Sequence, residues 1–239
     1  MKLQNLLEHR RSVRLFNENR SIPTNDVEDC LRQATLAPTS SNMQLWQFIH
    51  LVDSSWRDGL TKACLGQKAA STATQWVVFV TRQDFFRSRA KFLLNFEKLN
   101  IERNSPTERQ AKRIALRKVY YGRLMPLLYA RFFRLLGIMR KLIVLIMGIF
   151  RPVVREVSET EIRTVVHKSC ALAAQTFMLA MAEKGYDTCP MEGFDIKMVK
   201  QLLPFPRGTG VNIILSCGIL DGTKGIWGVR CRLPVDAVY

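Results

Sequence analysis

The sequence predicts a single domain, residues 1–239, that mixes α-helices and β-strands, and three observations lead to it. Helix-like and strand-like patterns alternate through the first third. A capped helix followed by a long apolar strand occupies the last third. The 239 residues, 47% hydrophobic and 23% charged, suit one domain with an ample core. The same composition argues against wholesale disorder, a collagen-like repeat or a disulfide scaffold.

Leu3, Leu6 and Leu7 predict a short first helix. A second is expected to start from a cap at Thr24 or Asn25, just after Pro23, and to run through Val27, Cys30, Leu31 and Ala34. Phe48–Val52 and Trp76–Thr81 are short β-branched or aromatic runs that read as buried strands. In the last third, Ser158-Glu159-Thr160-Glu161 is a capping box, and the helix it opens runs to Glu183 and Lys184, where Gly185 ends it. Val211–Leu220 has the length and apolarity of a central strand, with a turn signal after it at Asp221-Gly222. The tail from Gly225 to Tyr239 has no evident local partner.

Charge is the abnormal feature. The formal net charge is +16, with 36 Lys and Arg against 20 Asp and Glu. From Arg87 to Arg155 there are 17 basic residues and 3 acids, a net of 17 − 3 = +14, so the rest of the chain carries 16 − 14 = +2. Residues 84–155 therefore read as a basic, partly apolar helical insert. Within it Leu124–Phe150 is strongly apolar, but its longest uncharged run, Leu142–Phe150, is nine residues, against the roughly 18 or more of a spanning helix. Treated as one helix, this stretch places Arg123, Arg131, Arg134 and Lys141 on one face and Leu124, Leu128, Leu135, Leu142 and Ile146 on another, a basic amphipathic pattern. The N-terminus shows no secretory signal pattern, six scattered cysteines read as reduced thiols, and three histidines give no zinc spacing. A cytoplasmic protein without a metal is expected.

Three polar segments are candidates for chemistry. His9-Arg10-Arg11-Ser12-Val13-Arg14-Leu15-Phe16 gathers guanidinium forks and a hydroxyl suited to a phosphate, although a solvated basic turn has the same composition. Ala37-Pro38-Thr39-Ser40-Ser41-Asn42-Met43-Gln44-Leu45-Trp46 presents hydroxyls and amides to a planar polar ligand, with Trp46 as an anchor, or is an ordinary helix-to-strand turn. Asp187-Thr188-Cys189-Pro190-Met191-Glu192-Gly193-Phe194-Asp195 reads as a turn before a helix capped by Asp195.

Together with the tail Arg230-Cys231-Arg232-Leu233-Pro234, these segments resemble, in order, the motifs of the FMN-dependent nitroreductase family. The resemblance covers roughly residues 1–82 and 157–239 and leaves the basic insert unexplained. It implies an α+β nitroreductase-like fold, with a central, mainly antiparallel sheet flanked by helices, and a homodimer with FMN at the subunit interface. It further implies a ping-pong cycle from NAD(P)H through flavin N5 to a small-molecule acceptor such as a quinone or nitroaromatic, without a catalytic side chain.

Carried over residue by residue, Arg10, Arg11, Ser12, Arg230 and Arg232 correspond to phosphate ligands, and Arg14 to a cation near the ribityl chain and pyrimidine edge. Pro38, Thr39, Ser40, Asn42 and Gln44 correspond to the loop lining the rings, and Gln67 to an amide at the pyrimidine edge. Pro190, Met191, Glu192 and Gly193 correspond to the turn facing N5 and O4, where a glycine lets backbone approach closely. Leu45 stands where the family commonly has Pro, and Thr39 where Ser is usual.

Two expectations attach to the insert. One is peripheral membrane contact through residues 124–150, on the inner face of the membrane, bringing the enzyme to lipophilic acceptors; the plain alternative is an extra helical hairpin with a solvated basic face. The other is a non-enzymatic nitroreductase-like module whose basic helices bind a membrane surface or nucleic acid. Against nucleic acid stand the lack of aromatic interleaving and of any recognised motif.

Overall fold

The computed structural model describes residues 2–206 and 208–239. Among the described residues, ten α-helices and four strands run in the order α1 (Leu3–His9), α2 (Thr24–Ala34), β1 (Trp46–Leu51), α3 (Trp56–Ala63), α4 (Lys68–Thr72), β2 (Gln75–Thr81), α5 (Phe86–Asn104), α6 (Thr107–Val119), α7 (Met125–Tyr129), α8 (Leu135–Phe150), α9 (Glu159–Glu183), β3 (Asp187–Met191), α10 (Ile196–Leu202) and β4 (Gly210–Gly218). The strands form one sheet in the order β1-β2-β4-β3, every pair antiparallel. This is the α+β architecture with helices on both faces that the resemblance implies.

Strand β2 explains the layering. All seven of its residues are buried, and because side chains alternate along a strand, they divide between two cores. Trp76, Val78 and Val80 pack with α3 and α10 through Leu60, Ala63 and Val199. Val77 and Phe79 face α2 and α9 through Val27, Cys170, Phe177 and Met181. Helix α9 starts where the capping box requires: the Ser158 hydroxyl accepts from Glu161 N–H while the Glu161 carboxylate accepts from Ser158 N–H. Gly185, at φ 80°, follows its end. Among the described residues α9 alone is long and apolar enough to cross a membrane, and more than half of its most apolar stretch is buried.

Several local expectations change. Helix α2 begins at Thr24 with Pro23 in the cap position, so neither Thr24 nor Asn25 caps it and no side chain does; the fixed φ of Pro23 sets up the first turn instead. Pro190 and Met191 lie in β3, and the turn occupies residues 192–195; Pro190 is tolerated because β3 is an edge strand. Strand β4 ends at Gly218, before Leu220.

The stretch 124–150 is not one helix. A π-helical turn over Tyr120–Leu124 leads into α7, and Phe133 and Arg134, at φ 44° and 68°, break the chain before α8. The continuous basic face expected from a single helix is therefore lost. Helix α8 rests on the start of α9. A Cβ on Gly137 would come within 2.8 Å of Glu159 N, so glycine permits the close approach. Arg140, 4% exposed, donates from one nitrogen to the carbonyls of Leu127, Leu128 and Ala130, tying α8 to the end of α7. Lys141 pairs with Glu161 at 2.7 Å. A third core, built from Met43, Leu45, Leu93, Tyr121, Met125, Ile162 and Val166, joins the root of the insert to α9 and to the segment before β1.

Candidate functional site

The first group of site residues gathers beside β3. Ser12 pairs with Thr188, and the Arg14 N–H donates to the Gly225 carbonyl at 2.7 Å, holding residues 10–14 between the sheet edge and the tail. Arg10, Arg11, Ser12, Arg14, Arg230 and Arg232 line one cavity of about 220 Å³ with Trp227 and Cys231. Among the described residues no ion pair involves any of these five arginines. Burial, and after it the guanidinium groups of Arg230, Arg232 and Arg11, push the Arg10 pKa below its ordinary value. The cavity is thus a concentration of unneutralised positive charge, and its donors fit a phosphate, which needs several charge-assisted bonds once it leaves water.

Arg230 also has a structural task. It donates to the carbonyls of Leu7, Glu8 and Arg10 at 2.6–2.9 Å, closing the C-terminal end of α1. Arg11 donates to the Gly228 carbonyl at 3.0 Å. The tail is therefore pinned to the arginine segment, although most of it lies open, with Trp227 94% exposed.

A chain of polar contacts extends from this cavity. Arg14 donates to Gln67 Oε1 at 3.4 Å, and Gln67 Nε2 donates to the Gly193 carbonyl at 2.8 Å. Gln67 sits at the cap position of α4 and Gly193 just after β3, so the fold unites residues 126 apart in sequence. Glu192 and Gly193 are exposed. A Cβ on Gly193 would meet Gln67 Nε2 at 3.5 Å, an ordinary contact, so nothing within the chain itself requires glycine there.

The loop residues form a second group. Pro38, Thr39 and Ser40 line a cavity of about 390 Å³ with Val165, Lys168, Ser169 and Leu172 of α9. Ser41, Asn42 and Gln44 have φ of 53°, 54° and 48°, a left-handed conformation that costs non-glycine residues free energy. Hydrogen bonds hold it: Gln44 N–H donates to Thr39 Oγ1 at 3.1 Å, Gln44 Nε2 to Asn42 Oδ1 at 3.1 Å, and Ser40 N–H to Ser169 Oγ at 3.3 Å. The insert contributes two more. Tyr121 O–H donates to the Ser41 carbonyl at 3.1 Å, and the Tyr120 and Ser41 hydroxyls are 2.8 Å apart. Tyr120, Tyr121, Lys168 and Ser169 carry no sequence signal, because only the tertiary fold brings them to the loop.

One chain does not bring the two groups together. Trp46, which ends the loop, is in register with Thr81 and through it Gly210, whereas Ser12 lies beside Thr188, in register with Cys217. They occupy opposite edges and opposite ends of the sheet, so with strands about 4.8 Å apart and a rise of about 3.3 Å per residue the diagonal is roughly 25 Å.

The chain matches the nitroreductase family over residues 7–219. It belongs to that family. Among relatives it is 23% identical to DrgA of Synechocystis over 87% of this chain and 80% of DrgA. It is 23% identical to MhqN of Bacillus subtilis, a protein named as an NAD(P)H nitroreductase, over 89% of this chain and 86% of MhqN. Among solved structures it resembles YdfN of Bacillus subtilis with a TM-score of 0.73 at 20% identity, covering 100% of this chain and 97% of that one. A protein of Exiguobacterium sibiricum solved in complex with FMN gives a TM-score of 0.67 at 18% identity, covering 100% and 96%. These likenesses establish the fold. The family makes this chain an oxidoreductase of the nitroreductase type.

Proposed function

We propose that the protein is a homodimeric NAD(P)H-dependent FMN oxidoreductase whose acceptor is a quinone, a nitroaromatic compound or a similar small molecule. The observation that carries this reading is the cavity of arginines without acidic partners. The FMN bound to the Exiguobacterium protein and the NAD(P)H in the name of MhqN support the pair of cofactors.

Arg10, Arg11, Ser12 and Arg232 would hold the FMN phosphate, while Arg230 keeps α1 and the tail together around it. Arg14, oriented by Gln67, would support negative charge at the pyrimidine edge. Glu192 and Gly193 would face the reactive edge, their turn anchored by Pro190 and Met191 at the end of β3. When bound, FMN supplies two-electron transfer at N5, alternately from NAD(P)H and to the acceptor. No side chain is assigned as a general acid or base.

Pro38, Thr39, Ser40, Asn42 and Gln44 would serve the site from a second copy, because in their own chain the loop ends at Trp46, at the opposite edge and end of the sheet from Ser12, and lines a different cavity from the arginines. The exposed tail suits the same arrangement, since its apolar side chains lack cover within the chain. The test is the double variant Arg10→Ala/Arg232→Ala. Losing two charge-assisted contacts should weaken FMN retention by about a hundredfold or more. Flavin content equal to the unmodified protein, in a variant that melts normally, would place the phosphate elsewhere.

A further inference from the structure

Helix α8 leaves an apolar surface uncovered. On α8, residues 137, 140, 141, 144 and 148 face the protein, and at ~100° per residue the outer residues sweep an uncharged arc about 160° wide. Ile138, Leu142, Leu145, Ile146, Ile149 and Phe150 lie on that arc, all exposed, Ile149 by 75% and Phe150 by 83%. Phe133, 86% exposed, extends the apolar surface at the kink before α8. A groove of about 780 Å³ opens along the same helix against the start of α9.

The charge around this arc is predominantly positive. Residues 131–155 contain six Lys and Arg and no Asp or Glu. Arg134, Arg151 and Arg155 are exposed, and the Arg155 guanidinium lies close against Gly148. Glu156, beside Arg155, is the one exposed carboxylate next to this stretch among the described residues; the following two are engaged, since Glu159 accepts from Phe132 N–H and Glu161 is occupied by Lys141 and the Ser158 amide.

We infer that α8 is an interfacial helix that lies on an anionic lipid bilayer, its apolar arc among the acyl chains and Arg134, Arg151 and Arg155 at the phosphates. Three observations select this partner. A second copy would set one +14 region against another, whereas an anionic surface is complementary. An uncovered arc spanning nearly half the helix exceeds the narrow seam that one neighbouring helix fills. Sixteen residues span about 24 Å, short of the roughly 30 Å hydrocarbon core, and the inner face is already docked, so the helix lies along the interface rather than crossing it. Such docking would bring the proposed enzyme to acceptors dissolved in the membrane.

Flotation of the full-length protein tests this, with vesicles of phosphatidylcholine alone and vesicles of equal parts phosphatidylcholine and phosphatidylglycerol. The protein should float with the anionic vesicles and stay at the bottom with the neutral ones. Arg151→Gln and Arg155→Gln should each lower partitioning about fivefold, and Ile146→Asp/Ile149→Asp about a hundredfold. These side chains are exposed, and circular dichroism checks that the variants fold. Failure to float with either vesicle, or undiminished flotation of the Ile146→Asp/Ile149→Asp variant, overturns the inference. So does an assembly larger than a dimer that reverts to a dimer in that variant, since a second copy would then cover the arc. Flavin content read in the same samples separates this surface from the flavin reading, because flotation requires no flavin.

Discussion

Removing the Tyr121 hydroxyl tests whether the insert braces the proposed flavin loop. Tyr121 is 7% exposed, its ring meets Tyr120 edge-on at 4.9 Å, and its hydroxyl donates to the Ser41 carbonyl at 3.1 Å. Tyr121→Phe keeps the ring packing and deletes that one bond. Its net worth is about 1 kcal/mol, comparable with the cost of holding one non-glycine residue in the left-handed region, where Ser41, Asn42 and Gln44 all sit. A loss of about 1 kcal/mol lowers the equilibrium constant for ordering the loop about fivefold, and flavin affinity falls by up to that factor as the ordered fraction drops. The same loss lowers the melting temperature by about 2–4 °C in a chain of this size. Fluorescence titration of flavin-stripped protein with FMN, alongside thermal melting, measures both. A lowered melting temperature with unchanged FMN affinity would refute the reasoning, since the bond would then support the fold without supporting the loop.

Three further perturbations probe other parts of the structure. Gly225→Ala would bring a Cβ against the Leu220 side chain and within 2.5 Å of the Leu15 carbonyl oxygen; an overpacking cost of about 1–3 kcal/mol lowers the melting temperature by about 3–10 °C, and an unchanged melt contradicts the packing. Hydrogen bonding from Lys141, and after it from the Ser158 backbone, depresses the Glu161 carboxyl from 4.5 to about 2. A depressed acid stabilises the fold above its unfolded pKa and loses that contribution as pH falls toward its folded value, so the stability gap between the protein and Glu161→Gln should shrink from pH 4.5 down to about 2; a pH-independent gap excludes the charge as its source. Five cysteines are buried, burial raising Cys30 and Cys64 to about 11 and Cys170 to about 12, whereas Cys231 is exposed. Aromatic disulfide reagent should therefore titrate one thiol in the native protein and six in denaturant, and more than one native thiol refutes this burial.

Much of the framework was legible because local chemistry specified it. Ser158 and Glu161 form the expected capping box, Gly185 follows the end of α9, and Asp195 caps α10 by accepting from Lys197 and Met198 N–H. The strand patterns around Phe79 and Ile214 correspond to buried β2 and β4. The insert read less well. Periodicity continued through residues 124–150, but left-handed Phe133 and Arg134 are backbone states that no side-chain pattern announces. The arginine segment had a composition suited to a phosphate, the tail was singled out only by its resemblance to the family's motif, and the fold gathers both in one cavity. The tyrosines against Ser41, and Lys168 beside Ser40, depend on contacts between elements far apart in sequence. So does the separation of loop from arginines, which follows from the order of strands in the sheet.

The central claim, that this chain is a flavin oxidoreductase, is tested most directly by the visible spectrum of the purified protein, recorded before and after anaerobic addition of NADH or NADPH. The account predicts one FMN per chain, bound or restored by reconstitution, with its colour discharged by a reduced nicotinamide. A colourless protein that FMN does not reconstitute would contradict it.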